Sequence, residues 1–201
     1  MQDNQNISIC AVGSRGDRVA DADGCVLIGI GANLAPPGHP TPLAGCQAAL
    51  TALAAQGIAI LARSRWYLSA PVPASDQPWF VNAVAAVETG LSPESLLQTL
   101  IAVESAFGRN RRQRWAARVL DLDLLAYGRI VRDGGGGLEL PHPRLHERLF
   151  VLRPLADIVP GWRHPTTGAA LPDMLAALAP GQSLRVLTDF GQETLESIDS
   201  G

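Results

Sequence analysis

The chain has 201 residues, nearly half of them apolar, and a formal net charge of −3. That length and composition suit one domain with a full core. The small acidic surplus excludes a general nucleic-acid binder, which carries a large basic excess, and no stretch approaches the ~20 consecutive apolar residues that cross a bilayer. Cys10, Cys25 and Cys46 form no Cys-x-x-Cys pair and read as free thiols of a reducing cytoplasm. The N-terminus lacks the basic-then-apolar order of a secretory leader, so a cytoplasmic protein is expected. All 16 basic residues are arginine, a bias that weakens arguments resting on arginine alone.

In chain order, residues 1–25 are polar and aperiodic and read as a disordered extension. The domain is expected over 26–187 and a polar tail over 188–201. Cys25-Val-Leu-Ile-Gly-Ile-Gly reads as a buried strand whose Gly29-Ile-Gly31 makes a tight end. Thr41 caps a helix over 42–56, with Pro42 at its first position. Ile58 to Tyr67 alternates as a strand, Ser69 to Pro78 is a loop, and Phe80 to Glu88 is another strand. Ser92-Pro-Glu-Ser opens a helix that Gly108 ends near Phe107.

Arg109 to Ala117 is a basic loop, and Arg118 to Tyr127 alternates as a strand. Gly134–Gly137 is a turn, Leu138–Leu140 is extended, residues 144–149 form one helical turn, and 150–155 are mixed. A last short helix covers 171–178. The order strand, helix, strand, strand, helix, strand is that of a ferredoxin-like α+β sandwich, an antiparallel sheet with helices packed on it.

Asp121-Leu-Asp123 lies within an apolar strand, so both carboxylates project to one face. Two like charges ~6–7 Å apart repel unless a cation sits between them, and Mg²⁺ takes one or two carboxylates plus phosphate oxygens. The alternative is the solvent face of an edge strand, with Leu120, Leu122 and Leu124 inside. Arg109, Arg111, Arg112, Arg114 and Arg118 crowd the segment just upstream. They read as a clamp for phosphate oxygens or as a solvated or RNA-contacting loop. Asn82, behind Trp79 and Phe80, is either a satisfied core amide or a reader of a heterocycle's edge with an aromatic stacked on its face. His142, held between Pro141 and Pro143 and followed by Arg144, Arg148 and Phe150, is either structural or a rigidly perched ligand-facing imidazole. No P-loop, protein-kinase set or complete dinucleotide fingerprint is present.

These pieces together resemble a known family. Asn33 in Ile-Gly-Ile-Gly-Ala-Asn-Leu, Asp76-Gln-Pro-x-Phe-x-Asn82, Glu104-x3-Gly-Arg109, Arg114-Trp115-x2-Arg118-x2-Asp121-Leu-Asp123 and Pro-His142-Pro-Arg-x3-Arg148-x-Phe150 occur in order. Over about residues 26–180 the sequence resembles the 6-hydroxymethyl-7,8-dihydropterin pyrophosphokinases of folate biosynthesis.

The resemblance implies a ferredoxin-like fold and transfer of pyrophosphate from ATP to the pterin's hydroxymethyl group, with release of AMP. It implies two Mg²⁺ ions held by Asp121 and Asp123, and Arg109 and Arg118 assisting transfer. It places Glu104, Arg111, Trp115, His142 and Arg148 at ATP. It places Ser69, Ala70, Val72, Phe80, Asn82 and Phe150 around the pterin. Phe80 stands where tyrosine is common, and Gly137 and Pro143 replace an arginine and an aromatic of the family pattern. ATP and 6-hydroxymethyl-7,8-dihydropterin are the expected partners of a monomer that uses no nucleic acid and no membrane. The rival readings are an ordinary kinase, an RNA-binding module and an inactive nucleotide sensor.

Overall fold

The apolar run after Cys25 forms β1 (Val26–Ala32), which pairs antiparallel with β4 (Phe80–Glu88) on one side and with β5 (Asp121–Tyr127) on the other. The computed structural model describes residues 24–108, 118–135 and 137–188. Most of the extension expected over 1–25, the Arg109–Ala117 loop and the end of the tail lie outside them. The sheet continues through β3 (Tyr67–Ser69) to β8 (Leu184–Val186), giving the order β5-β1-β4-β3-β8, with β2 (Ala59–Arg63) also paired to β4. Two short strands, β6 (Arg132–Asp133) and β7 (Glu139–Leu140), make a separate hairpin.

One sheet face is covered by α1 (Pro42–Ala55) and α2 (Pro93–Ala106). Both helices start as their sequences dictate. Thr41 Oγ1 accepts from the Ala44 amide at 3.1 Å and Ser92 Oγ from the Ser95 amide at 3.2 Å, each followed by proline at the first helical position. Gly108 ends α2 at φ +88°, a conformation open to glycine. Cys46, Leu53, Leu96 and Leu100 of these helices bury against Ile28, Ile30, Leu122 and Leu124 of the sheet. Burial pushes the Cys46 thiol up to about 12, so it stays protonated and inert.

The opposite face is roofed by α3 (Leu149–Ile158) and α4 (Leu171–Ala176) over a second core that includes Leu27, Val84, Leu125, Leu152, Leu155 and Trp162. The result is the ferredoxin-like α+β arrangement expected from the element order. Asp157, near the end of α3, pins that helix to β3. Its carboxylate accepts from Arg65 at 2.9 and 3.2 Å, from the Arg65 amide at 3.1 Å and from the Tyr67 hydroxyl at 2.9 Å.

Several expected elements are corrected. The strand expected over 58–67 is two strands. Ser64 Oγ accepts from the Val84 amide at 3.0 Å in place of a backbone carbonyl, so the ladder breaks there and Trp66 turns into the core. The strand expected from Arg118 starts at Asp121, because the backbone of Arg118 is taken by Asn33 and Leu34.

Where 144–149 was expected to make one helical turn and 150–155 to be mixed, a 3₁₀ turn covers Leu145–Glu147 and a true helix covers Leu149–Ile158. Pro154 hides that helix in the sequence. It removes the amide that would bond the Phe150 carbonyl, yet burial of Val151, Leu152, Leu155 and Ile158 outweighs the loss. Strand β8 carries no signal of its own, since its three half-buried residues are held by pairing with β3.

Behind α3, His164 is buried, and its Nδ1 accepts from the Thr166 and Thr167 amides at 3.3 and 3.4 Å. Burial and the neighbouring His146 ring, 5.8 Å away, hold it below the ordinary histidine value. The folded protein therefore keeps His164 neutral where the unfolded chain takes up a proton. The stability from this residue is complete above about pH 6.5 and is lost as pH falls below it. Urea unfolding at pH 7.5 and 5.5 should show a larger acid loss for the wild type than for His164→Gln; equal losses would contradict the assignment.

Candidate active site

The face of the sheet beneath α3 carries a row of side chains set by strand register. Asp121 on β5 is opposite Gly31 on β1, Gly31 is opposite Asn82 on β4, and Asn82 is opposite Tyr67 on β3. A second row joins Asp123, Gly29 and Val84. Two strand spacings, roughly 10 Å, thus separate the carboxylates from the Asn82 amide. The glycines leave the space between them open. A Cβ on Gly31 would lie 3.3 Å from Asn82 Oδ1 and 3.9 Å from Asp121 Cβ, and one on Gly29 would lie 3.4 Å from Leu125. Gly29-Ile-Gly31 is therefore the floor of the site within β1, not the tight strand end that the sequence suggested.

Asp121, Asp123, Asn82, Val84 and the two glycines, with Leu125, Phe150 and Val151, line a cleft that is partly open to solvent. Leu122 and Leu124 point away from it into the first core, as alternation requires. Strand β5 is an edge strand, as the bland reading of Asp-x-Asp supposed, but the face carrying the carboxylates is roofed. The Asp121 side chain keeps only 12% of its exposure and Asp123 keeps 37%.

Both carboxylates face arginine. Arg118 Nη1 pairs with Asp121 Oδ2, and Arg148 Nη1 lies 3.8 Å from Asp123 Oδ2. Burial lowers the Arg148 guanidinium from its ordinary value, and the charge of Asp123 opposes that shift. His142 is likewise held below the ordinary histidine value, chiefly by burial, with Asp123 opposing. Its Nδ1 accepts from the Arg144 amide at 3.1 Å, so in the neutral ring Nε2 carries the proton.

Glu104 is almost fully buried behind β5, and its Oε1 accepts from the Leu122 amide at 2.8 Å, between the two aspartates. Arg109, Arg111 and Trp115 lie outside the described residues, as do Arg112 and Arg114.

On the amide side, Asn82 Nδ2 donates to Ser69 Oγ at 2.9 Å and to the Phe80 carbonyl at 3.0 Å. Those bonds use the donor end and leave Oδ1, beside Gly31, as the acceptor offered to the cleft. Phe80 shares this face by alternation, and Phe150 lines the cleft from α3. The Ala70 amide bonds the Ser183 carbonyl at 3.2 Å, and Val72 is exposed.

Asn33 was legible only as part of a motif, and the structure gives it a task. Its Oδ1 accepts from the Arg118 amide at 2.6 Å, and its Nδ2 donates to Gln77 Oε1 at 3.1 Å and to the Pro78 carbonyl at 3.2 Å. One buried amide thus ties the start of β5 to the loop before Phe80.

The donor set fits Mg²⁺. Two carboxylates share one face above a glycine floor that a side chain would fill, which leaves the remaining positions to phosphate oxygens and water. Among the described residues no group of three or more His, Cys, Asp or Glu converges, so a closed zinc-type cage is not formed there.

The sequence model of a family described as 7,8-dihydro-6-hydroxymethylpterin-pyrophosphokinase matches residues 27–160. The chain is 43% identical over 153 residues to the 2-amino-4-hydroxy-6-hydroxymethyldihydropteridine pyrophosphokinase of Pseudomonas aeruginosa, covering 76% of this chain and 90% of that protein. The protein of the same name from Methylorubrum extorquens is 43% identical over 134 residues, 66% of this chain and 81% of the relative. A Plasmodium falciparum HPPK-DHPS crystal structure shares the fold with a TM-score of 0.57 at 12% identity, covering 76% of this chain and 42% of that one. The chain thus spans less than half of that longer protein.

Asn33→Ala removes all three bonds of the buried amide and should destabilise the protein by about 2–4 kcal/mol. Urea unfolding reads this directly, and a loss below about 0.5 kcal/mol, within the range of ordinary surface substitutions, would contradict the staple.

Proposed function

The chain belongs to the 7,8-dihydro-6-hydroxymethylpterin-pyrophosphokinase family, a folate-synthesis family, and from that premise we propose how its residues divide the transfer of pyrophosphate from ATP to 6-hydroxymethyl-7,8-dihydropterin. The observation that carries the division is the row Asp121, Gly31, Asn82 across three paired strands. It sets a carboxylate pair and the Asn82 amide about two strand spacings apart on one open floor, with Gly31 between them.

Asp121 and Asp123 would hold two Mg²⁺ ions at the ATP phosphates. When bound, these ions supply positive charge beside the phosphate oxygens. Arg118, which pairs with Asp121, donates its guanidinium N–H groups to the oxygens of the transferred group. Arg109 belongs to the same task. Arg148 and the Nε2–H of His142 donate to ATP, and Arg111 and Trp115 belong to the same task. Glu104 serves the ATP side by holding the β5 backbone between the two aspartates.

The pterin's ring N–H groups donate to Asn82 Oδ1, with Phe80 and Phe150 on its faces and the Ser69–Val72 backbone completing the pocket. The hydroxymethyl oxygen attacks the β-phosphorus in line. The bond from that oxygen to phosphorus forms as the bridging bond to the α-phosphoryl group breaks. The electron pair leaves with AMP, and the hydroxyl proton passes to solvent. Among the described residues none is placed as a general base, so positioning and charge neutralisation carry the rate.

Purified protein with ATP, Mg²⁺ and the dihydropterin should accumulate AMP and the pterin diphosphate, not ADP. Asp121→Asn and Asp123→Asn should each lower kcat by at least about 10²-fold, the scale of removing one group that stabilises transition-state charge. ADP as the product, or near-normal turnover in both variants, would overturn the assignment.

A further inference from the structure

Residues 181–188 lie beyond the stretch that the family model matches, yet they touch both walls of the acceptor side of the cleft. Helix α3, which carries Phe150 into the cleft, has no side-chain cap from its own N-cap residue, Arg148. The cap comes from elsewhere. Gln182 Oε1 accepts from the amide of Leu149, the first residue of α3, at 2.9 Å, and Gln182 Nε2 donates to the Glu147 carbonyl at 2.9 Å. Both ends of one carboxamide are thus spent on the backbone that flanks Arg148 and leads into Phe150.

The residues that follow hold the other wall. The Ser183 carbonyl accepts from Ala70, β8 pairs with β3 through Leu184 opposite Ser69, and the Arg185 guanidinium lies 4.6 Å from the ring centre of Trp79, next to Phe80. Arg148 has a second anchor in Asp123, and α3 is pinned at its far end by Asp157. For the stretch that brings Phe150 over the cleft, the Gln182 carboxamide is a polar tie to the segment that runs into β8, beside the Ser69–Asn82 wall.

We propose that Gln182 is a positioning residue for the acceptor pocket: it sets the separation between the Phe150 wall and the Ser69, Phe80 and Asn82 wall. The inference rests on the assignment of that pocket to the pterin. Its loss lets the first turn of α3 drift, which costs acceptor binding more than it costs chemistry. Gln182→Leu keeps the side-chain bulk and removes both bonds. Gln182→Asn stays polar but is one methylene too short to span both partners.

Steady-state kinetics on the full chain, varying ATP and 6-hydroxymethyl-7,8-dihydropterin in turn, test the idea. In both variants the pterin KM should rise by about fivefold or more, the factor that one hydrogen bond's net worth represents. The ATP KM and kcat should stay within about twofold. A purely structural role would lower the melting temperature or the active fraction and leave the pterin KM unmoved. A pterin KM within twofold of wild type in either folded variant, or a fall in kcat with both KM values unchanged, overturns the proposal. An inactive wild type would instead sink the assigned reaction itself, so the two failures are distinguishable.

Discussion

Two carboxylates on one roofed sheet face must be met by positive charge, and much of this site follows from that constraint. Asp121 and Asp123 stand on the edge strand because β5 buries its leucines in the opposite direction. Once Phe150 and Val151 of α3 cover that face, water alone no longer screens the pair. The chain answers with Arg118 and Arg148, one for each carboxylate. The same arrangement suits a metal-bound polyphosphate, which brings cation and anion together. A site built this way is charge-balanced before its ligand arrives and can exchange its internal partners for the ligand's.

The glycines of β1 turn this local balance into a site with reach. A side chain at position 31 would bridge Asp121 to Asn82 and one at position 29 would crowd Leu125, but glycine at both keeps the row open across three strands. The walls are then tied by side-chain amides in contexts where backbone pairing is not available. Asn33 joins the start of β5 to the loop before Phe80, and Gln182 joins α3 to the strands on the acceptor side. Asp157 closes the far end of α3 on Arg65 and Tyr67. Each tie spans many residues of sequence, so the geometry of the cleft depends on the whole sheet being assembled.

Much of this was legible in the residues alone. The order of elements, both helix caps, the shared face of Asp121 and Asp123 and the inward leucines follow from periodicity and capping chemistry, which act over a few residues. The features that were not legible are long-range. Ser64 interrupts a strand through a bond to Val84, Pro154 is tolerated because α3 is buried, and β8 exists only through pairing with β3. Gly29 and Gly31 carried a signal, since two glycines one residue apart in an apolar strand leave one face bare. Reading them as a floor needed the register that sets them between Asp121 and Asn82. The family resemblance named the site's residues, but it could not reveal Asn33 or Gln182 as ties, because those roles depend on partners 33 to 85 positions away.

We propose that one sheet face holds metal-bound polyphosphate at Asp121 and Asp123 and the pterin at Asn82. A crystal structure with Mn²⁺, a non-hydrolysable ATP analogue and 6-hydroxymethyl-7,8-dihydropterin tests it most directly. Anomalous peaks are expected about 2.0–2.3 Å from oxygens of both carboxylates, as a hard six-coordinate ion requires, with the pterin's ring N–H groups on Asn82 Oδ1. Metal bound to the phosphates alone, with Asp121 and Asp123 still paired to Arg118 and Arg148, would contradict it.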